Sequence, residues 1–505
     1  MRIPKLSAYL PLLILFVTAA AVSVWPQQAA ALYTVDSNAD THDAVPGDRF
    51  CADAANRCTL RAAIEEANAE PASRDVIVFN LSYPSVIDLT IGEIAITGNV
   101  SIVGPGARRV TVKRSQDAST PDFRVFHVSA GLTLVSFRGM KIMNGRSPTD
   151  TSGGGILIDK VSSVSLNDLW IEDNIAGTNS GSGGGVFNSG NLKISRCLFL
   201  NNRGYISGSA LYNASGSSAT VLNSTFSRNG GLAQGAIFNQ SGGTLSLVND
   251  TFFRNDSAGG PSDVANFGTT NVLNTFFADA FSANFTLLGA FNSLGNNVVV
   301  LPGQSTGFVD GVNGDQVGNI ADPHVAADLA DNGGQTDTLA LLPGSPAIGH
   351  GNSCVLIGGG SGNCSGLPPG TILLTDQRAG FSRPFNTLDV GAYDTGAQPI
   401  GGNPFFSFSI TYPGVEAKTL GSIGVLTDAV TNQKLYTVSN GTGHWNFKNV
   451  GLNVLVFEIK SKRQGLSLGP FVNSFDDFSR SLALAPQTIS LGQGITLTRT
   501  VITDR

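Results

Sequence analysis

The chain reads as an all-β protein built on a parallel β-helix, and three observations predict it. The first is a self-similar stretch over 126–280 with a period of about 25 to 30 residues. Five starts line up: Ile156-Leu157-Ile158, Val186-Phe187-Asn188, Leu211-Tyr212-Asn213, Ile237-Phe238-Asn239 and Val264-Ala265-Asn266, at steps of 30, 25, 26 and 27 residues. A fixed period of this size, made of short strands, marks a solenoid. The second observation is spacing within each unit. Apolar residues sit two apart, as in Leu192 and Ile194 or Leu245 and Leu247, which is strand spacing and not that of a helix. The third is the set of breakers between strands, such as Ser152-Gly153-Gly154-Gly155 and Asn229-Gly230-Gly231, which supply turns and left-handed backbone angles. No helical segment separates the strands, which excludes leucine-rich repeats. The unit is also shorter than the roughly 40 residues of a propeller blade.

Each unit carries a second apolar strand and a polar stop, at 166–174, 194–202, 221–229 and 247–255. One such coil cannot stand alone, because its backbone groups must pair with the coils above and below. Stacking then places Asn188, Asn213, Asn239 and Asn266 one above another, where side-chain amides can hydrogen-bond along the axis. Phe199, Phe226 and Phe252, 27 and 26 residues apart, are expected to stack inward.

Residues 1–31 read as a secretory signal: Arg2 and Lys5 precede an apolar core at 10–24, and Ala29-Ala30-Ala31 fits a small-residue cleavage site. The apolar core is too short to span a bilayer comfortably, and no later segment is long and apolar enough for a membrane helix. A mature chain starting at Leu32 keeps 29 basic against 37 acidic side chains. That mildly acidic balance argues against nucleic acid as a partner. The five cysteines fit an oxidising compartment. Cys51 and Cys58 are close neighbours in a polar loop, as are Cys354 and Cys364, and each pair would close a short loop. Cys197 lies in a strand and reads as a buried free thiol. No Cys/His spacing suggests zinc.

Residues 32–74 read as an amino-terminal cap, since an open solenoid end exposes strand edges and core. Thr59 is a good N-cap, and Leu60, Ala63, Ile64 and Ala67 line one face of a short helix. The run 48–68, with Cys51, Cys58-Thr59-Leu60-Arg61-Ala62-Ala63 and Glu66-Ala67-Asn68, resembles the CSLREA domain of bacterial exported proteins. That motif has Glu where this chain has Ala62, so the family's capping box is incomplete here. The Gly104-Pro105-Gly106-Ala107 turn resembles the first coils of those proteins. The resemblance implies a right-handed parallel β-helix over 75–290, similar in architecture to pectate lyases.

Residues 291–394 carry Asn292-Ser293-Leu294-Gly295-Asn296-Asn297, Asp331-Asn332-Gly333-Gly334-Gln335-Thr336, Leu342-Pro343-Gly344-Ser345-Pro346-Ala347-Ile348, Asp376-Gln377-Arg378 and Asp389-Val390-Gly391-Ala392-Tyr393. This order is similar to the choice-of-anchor Q domain at the end of bacterial β-helices. Turn-formers alternating with short apolar strands predict a polar-faced cap on the solenoid's far end. A Gly/Pro-rich linker at 395–404 precedes a β unit at 405–505. Segments 425–428, 443–447 and 460–463 resemble carboxypeptidase-regulatory-like β-sandwich modules, which are non-catalytic, and 464–481 reads as an insertion.

Candidate site residues are few. Asp168, Glu172 and Asp173 fall on one coil, with Arg196, Arg228 and Arg254 on the coils that follow. Such a set on one outer face would form a groove for an acidic sugar. Asp36, Asn38, Asp40 and Asp43 offer oxygen ligands at i, i+2, i+4 and i+7 for a structural calcium. The five histidines do not cluster. The expectation is a monomeric, exported, non-enzymatic β-helix at the cell surface or secreted, adhesive or glycan-binding, contacting extracellular polysaccharide or another cell. The alternatives are a polysaccharide lyase or glycoside hydrolase acting on acidic glycans, and a purely structural surface element.

Overall fold

The computed structural model describes residues 30–399 apart from 72, 133, 178, 233, 280–285, 319, 358–365, 368–370, 372 and 385, and the strand backbones within 405–502. Most of the expected signal segment therefore lies outside the described residues, as does Cys364. Among the described residues no helix is long and apolar enough to cross a membrane.

Three long sheets wind into one solenoid. Sheet 1 has ten strands, from Leu32–Val35 to Asn292–Gly295. Sheet 2 has ten strands, from Ser85–Leu89 to Gln316–Val317. Sheet 3 has nine strands, from Ile94–Ile96 to Gln304–Thr306. Neighbours in each sheet are one coil apart and parallel, as with Ile156 opposite Val186, Leu166 opposite Ile194 and Trp170 opposite Leu198. The fold is a parallel β-helix, and the coil starts align in the register that the sequence period requires. Differences in coil length are absorbed in the turns. The turn entering sheet 1 is longer after Ile156–Ile158 than after Val186–Asn188.

The interior is filled by matching layers. Phe199, Phe226, Phe252 and Phe277 are fully buried and stack with ring centroids 4.7, 5.0 and 4.9 Å apart. The amides of Asn188, Asn213, Asn239 and Asn266 hydrogen-bond in series at 2.8, 2.8 and 3.0 Å. A second buried series, Asn174, Asn202, Asn229 and Asn255, runs up the turn after sheet 2 at 3.0, 3.0 and 3.1 Å. The sequence showed these four only as polar stops.

The amino-terminal end is closed as expected. The helix α1 (Leu60–Ala69) starts at Thr59, whose hydroxyl accepts a hydrogen bond from Ala62 N. The missing capping-box carboxylate is therefore not needed for the cap. Cys51 and Cys58 form a disulfide. Cys354 is also disulfide-bonded, and Cys197 is free and buried.

The segment 318–399 differs from the expected far-end cap. Its described residues fold back along the flank of the solenoid and cover much of the outer face of sheet 2. Leu339, Leu341, Ala347 and Val390 pack on Phe253, Phe276, Val298 and Val300. Val355, Leu356, Leu373 and Leu388 pack on Leu222, Val248 and Leu273 at the outer edge of sheet 1. The physical reason lies in sheet 2 itself. Its strands read Leu198-Phe199-Leu200 and Phe252-Phe253 without alternation, so both faces are apolar and both must be buried. Arg383 pins the strap. Its fully buried guanidinium bonds Asp394, Asn223 Oδ1 and Gly391 O at 3.1, 3.0 and 2.8 Å.

Beyond the strap, the carboxyl-terminal strands pair into two four-stranded antiparallel sheets. Leu466–Asn473 pairs with Leu455–Ser461, so part of the segment read as an insertion is an integral strand.

Candidate functional site

Two left-handed turn positions recur in successive coils, and most of the charged candidates occupy them. Asp168, Arg196, Asn223, Asn249 and Asn274 turn the chain from sheet 1 to sheet 2 with φ of 52, 54, 50, 56 and 51°. Asp173, Asn201, Arg228 and Arg254 turn it out of sheet 2 with φ of 54, 55, 55 and 56°. Asn tolerates this region, whereas other side chains are strained there by about 1–2 kcal/mol. The candidates thus form two separate columns. Arg196 belongs with Asp168, while Arg228 and Arg254 belong with Asp173.

The first column is dry. Asp168 is buried between Arg138 and Arg196, at 2.7 Å from each. The Arg196 side chain is 1% exposed. A buried carboxylate held by two guanidiniums links three coils and has no route to a substrate. Its signal was present in the sequence as charges at 138, 168 and 196, one coil apart. The adjoining Cys197 thiol is pushed up to about 12 by burial, so it stays protonated and inert.

The second column is solvated but dispersed. Glu172 pairs with Lys141 at 2.8 Å, and the Lys141 ammonium sits 3.6 Å from the centre of the Trp170 ring. Arg228 pairs with Asp328 of the strap at 2.6 Å. Arg254 lies over the Phe253 ring at 5.0 Å. Asp173 and Arg254 are exposed, but three coils separate them, or about 14 Å at the spacing of neighbouring strands. They cannot act together on one bond.

The four residues considered for calcium also serve separate partners. Asp36 accepts from Cys58 N. Asn38 donates to Val86 O. Asp40 pairs with Arg61 at 2.7 Å and accepts from Thr90 N. Asp43 accepts from Val45 N and Ala52 N. Their spacing reflects a loop stitched to α1 and the first coils. Among the described residues no group of three or more His, Cys, Asp or Glu side chains is placed to hold a metal ion.

A concave feature lies elsewhere among the described residues, on the outer face of sheet 1. An open groove of about 340 Å³ runs along it. Its floor is the column Ser101, Ser136, Ser165, Lys193 and Thr220, in register on adjacent strands. A second column, Ser163, Asn191 and Ser218, forms one side. Ser136 Oγ donates to Ser101 Oγ at 2.9 Å, and Ser218 Oγ donates to Asn191 Oδ1 at 2.8 Å. Strand alternation explains the groove: Val164, Leu166, Leu192 and Ile194 point inward, so the residues between them face out. The described lining residues comprise hydroxyls, an amide, one ammonium and apolar side chains, with no carboxylate, imidazole or thiol. Such a surface can donate to and accept from a polyhydroxylated ligand.

Fold and groove together define a right-handed parallel β-helix with one polar outer face and one covered face. Residues 110–277 match the family model described as the right-handed β-helix region. Among solved structures the chain is similar to the crystal structure of pectate lyase Pel9A, at 12% identity and a TM-score of 0.32, covering 73% of this chain and 97% of that one. No curated protein matches it in sequence.

Proposed function

We propose that this chain is an exported, non-enzymatic β-helix that binds extracellular polysaccharide along the outer face of sheet 1. The observation that carries this reading is the in-register column Ser101, Ser136, Ser165, Lys193 and Thr220. It repeats hydrogen-bonding groups about every 4.8 Å along the axis, which suits an extended polyhydroxylated chain. Export is supported by the charged and apolar amino-terminal segment and by the Cys51–Cys58 disulfide. The lyase alternative loses support because Asp168 and Glu172 are engaged in ion pairs.

The test is binding of the full chain to neutral and acidic polysaccharide panels, beside an assay for new reducing ends or unsaturated products. Binding without product is expected. Ser165→Trp, which fills the groove, should weaken binding at least tenfold while leaving far-ultraviolet circular dichroism unchanged. Product formation would refute the non-enzymatic reading, and unchanged binding in Ser165→Trp would refute the site.

A further inference from the structure

The second asparagine series has a direction, and that direction poses a problem at its upper end. Each Nδ2 donates toward the following coil: Asn174 to Asn202, Asn202 to Asn229 and Asn229 to Asn255. Each lower backbone N–H points the same way, to the Oδ1 of the next Asn at 3.2, 3.0 and 3.1 Å. A further Asn would be required above Asn255, and none stands there among the described residues. Two acidic side chains take its place. Asp263 Oδ1 accepts from Asn255 Nδ2 at 2.9 Å. Asp279 accepts from the backbone N–H groups of Arg254 and Asn255.

Both carboxyl groups are buried, at 0% and 5% exposure. Their Oδ2 atoms have no donor from any other group, and the two carboxyls face each other directly. Two carboxylate oxygens in contact repel unless something positive lies between them, and two buried like charges do not both ionise.

We propose that Asp263 and Asp279 hold one shared proton and form a latch that terminates the asparagine ladder, released when that proton is lost. Burial first, then the neighbouring carboxyl, pushes the Asp263 acid well above its usual range. Burial likewise raises Asp279. The charged group that faces the pair is Arg254, which favours the ionised form of Asp279 only weakly from its exposed position. Residues 280–285, which follow Asp279 in the sequence, include no ionisable side chain. Because both groups are weaker acids in the folded chain than in the unfolded one, stabilisation by the shared proton is fully present below the unfolded value and is lost as pH rises through the folded one. The pair titrates as a unit, so the transition belongs to both residues together.

Hydrogen exchange of the full chain, followed by mass spectrometry from pH 6 to 10, tests this. The amides of Arg254 and Asn255 should open by about tenfold per pH unit as pH climbs toward the pair's folded-state transition and level off above it, beyond the ordinary base catalysis of exchange. Those of Arg228 and Asn229, one coil below, should not. This internal comparison needs no variant. Asp279→Asn, and separately Asp263→Asn, should abolish the excess pH dependence at 254–255. Equal pH dependence in both coils would overturn the proposal. So would an increase in melting temperature with added calcium that either variant abolishes, since a cation rather than a proton would then lie between the carboxyls.

Discussion

Replacing Asn229 with Ala tests the ladder at its centre. Asn229 Oδ1 accepts from Asn202 N and Asn202 Nδ2, both at 3.0 Å. Its Nδ2 donates to Phe199 O at 2.9 Å and to Asn255 Oδ1 at 3.1 Å. The side chain is fully buried. In the variant the Asn202 backbone N–H loses its acceptor and Phe199 O loses a donor. Each buried polar group left unsatisfied destabilises by about 1–3 kcal/mol, so the pair amounts to about 2–6 kcal/mol. That is a large part of the 5–15 kcal/mol typical of a domain. The neighbouring Asn201→Ala is the control. Asn201 occupies a left-handed position with φ 55° and is only partly buried, so Ala there should remove about 1–2 kcal/mol through backbone strain alone. Urea unfolding followed by circular dichroism measures both, with hydrogen exchange of the central coils to detect stepwise loss. Asn229→Asp should be worse still, because a carboxylate oxygen would oppose the acceptors Phe199 O and Asn255 Oδ1. If Asn229→Ala proves no more damaging than Asn201→Ala, the ladder does not stabilise the solenoid as argued.

Two further outcomes follow from the strap and the surface charges. Arg383→Met should strand Asp394 without its cation in a buried site and destabilise the strap by about 3–5 kcal/mol; limited proteolysis should then cut within 318–399 before the coils, and simultaneous loss of both would contradict the assignment. His127 lies between Glu93 and Asp159 at 3.3 and 3.1 Å, and the hydrogen bond to Glu93 raises its pKa above the ordinary imidazole value. Its contribution is present below the unfolded value and lost as pH rises through the folded one. Because the side chain is 25% exposed, less than about 1 kcal/mol is expected. The melting temperature gained between pH 8 and 5.5 should shrink in His127→Gln.

The β-helix, its inward phenylalanines, the Asn188 series, the Thr59 cap and the Cys51–Cys58 bridge were all legible in the chain itself. Each depends on spacing that recurs every coil or on neighbours a few residues apart, and stacking converts equal spacing in sequence into contact in space. The candidate acidic and basic residues were located correctly in the coils but grouped wrongly. The period says which residues share a column, yet it does not say that the Asp168 column faces a dry seam or that Glu172 already holds Lys141. The strap lay beyond such reading altogether. Arg383 meets Asn223 across 160 residues, and nothing periodic connects them. The unalternated apolar strands of sheet 2 require a cover, but their pattern does not specify which segment supplies it. Likewise the approach of Asp263 to Asp279 arises from where the asparagine series runs out. Repetition along one chain specifies the stack, because every coil meets only its neighbours. Which faces remain open, and which charges share a proton, depend on unique long-range contacts that only the folded chain brings about.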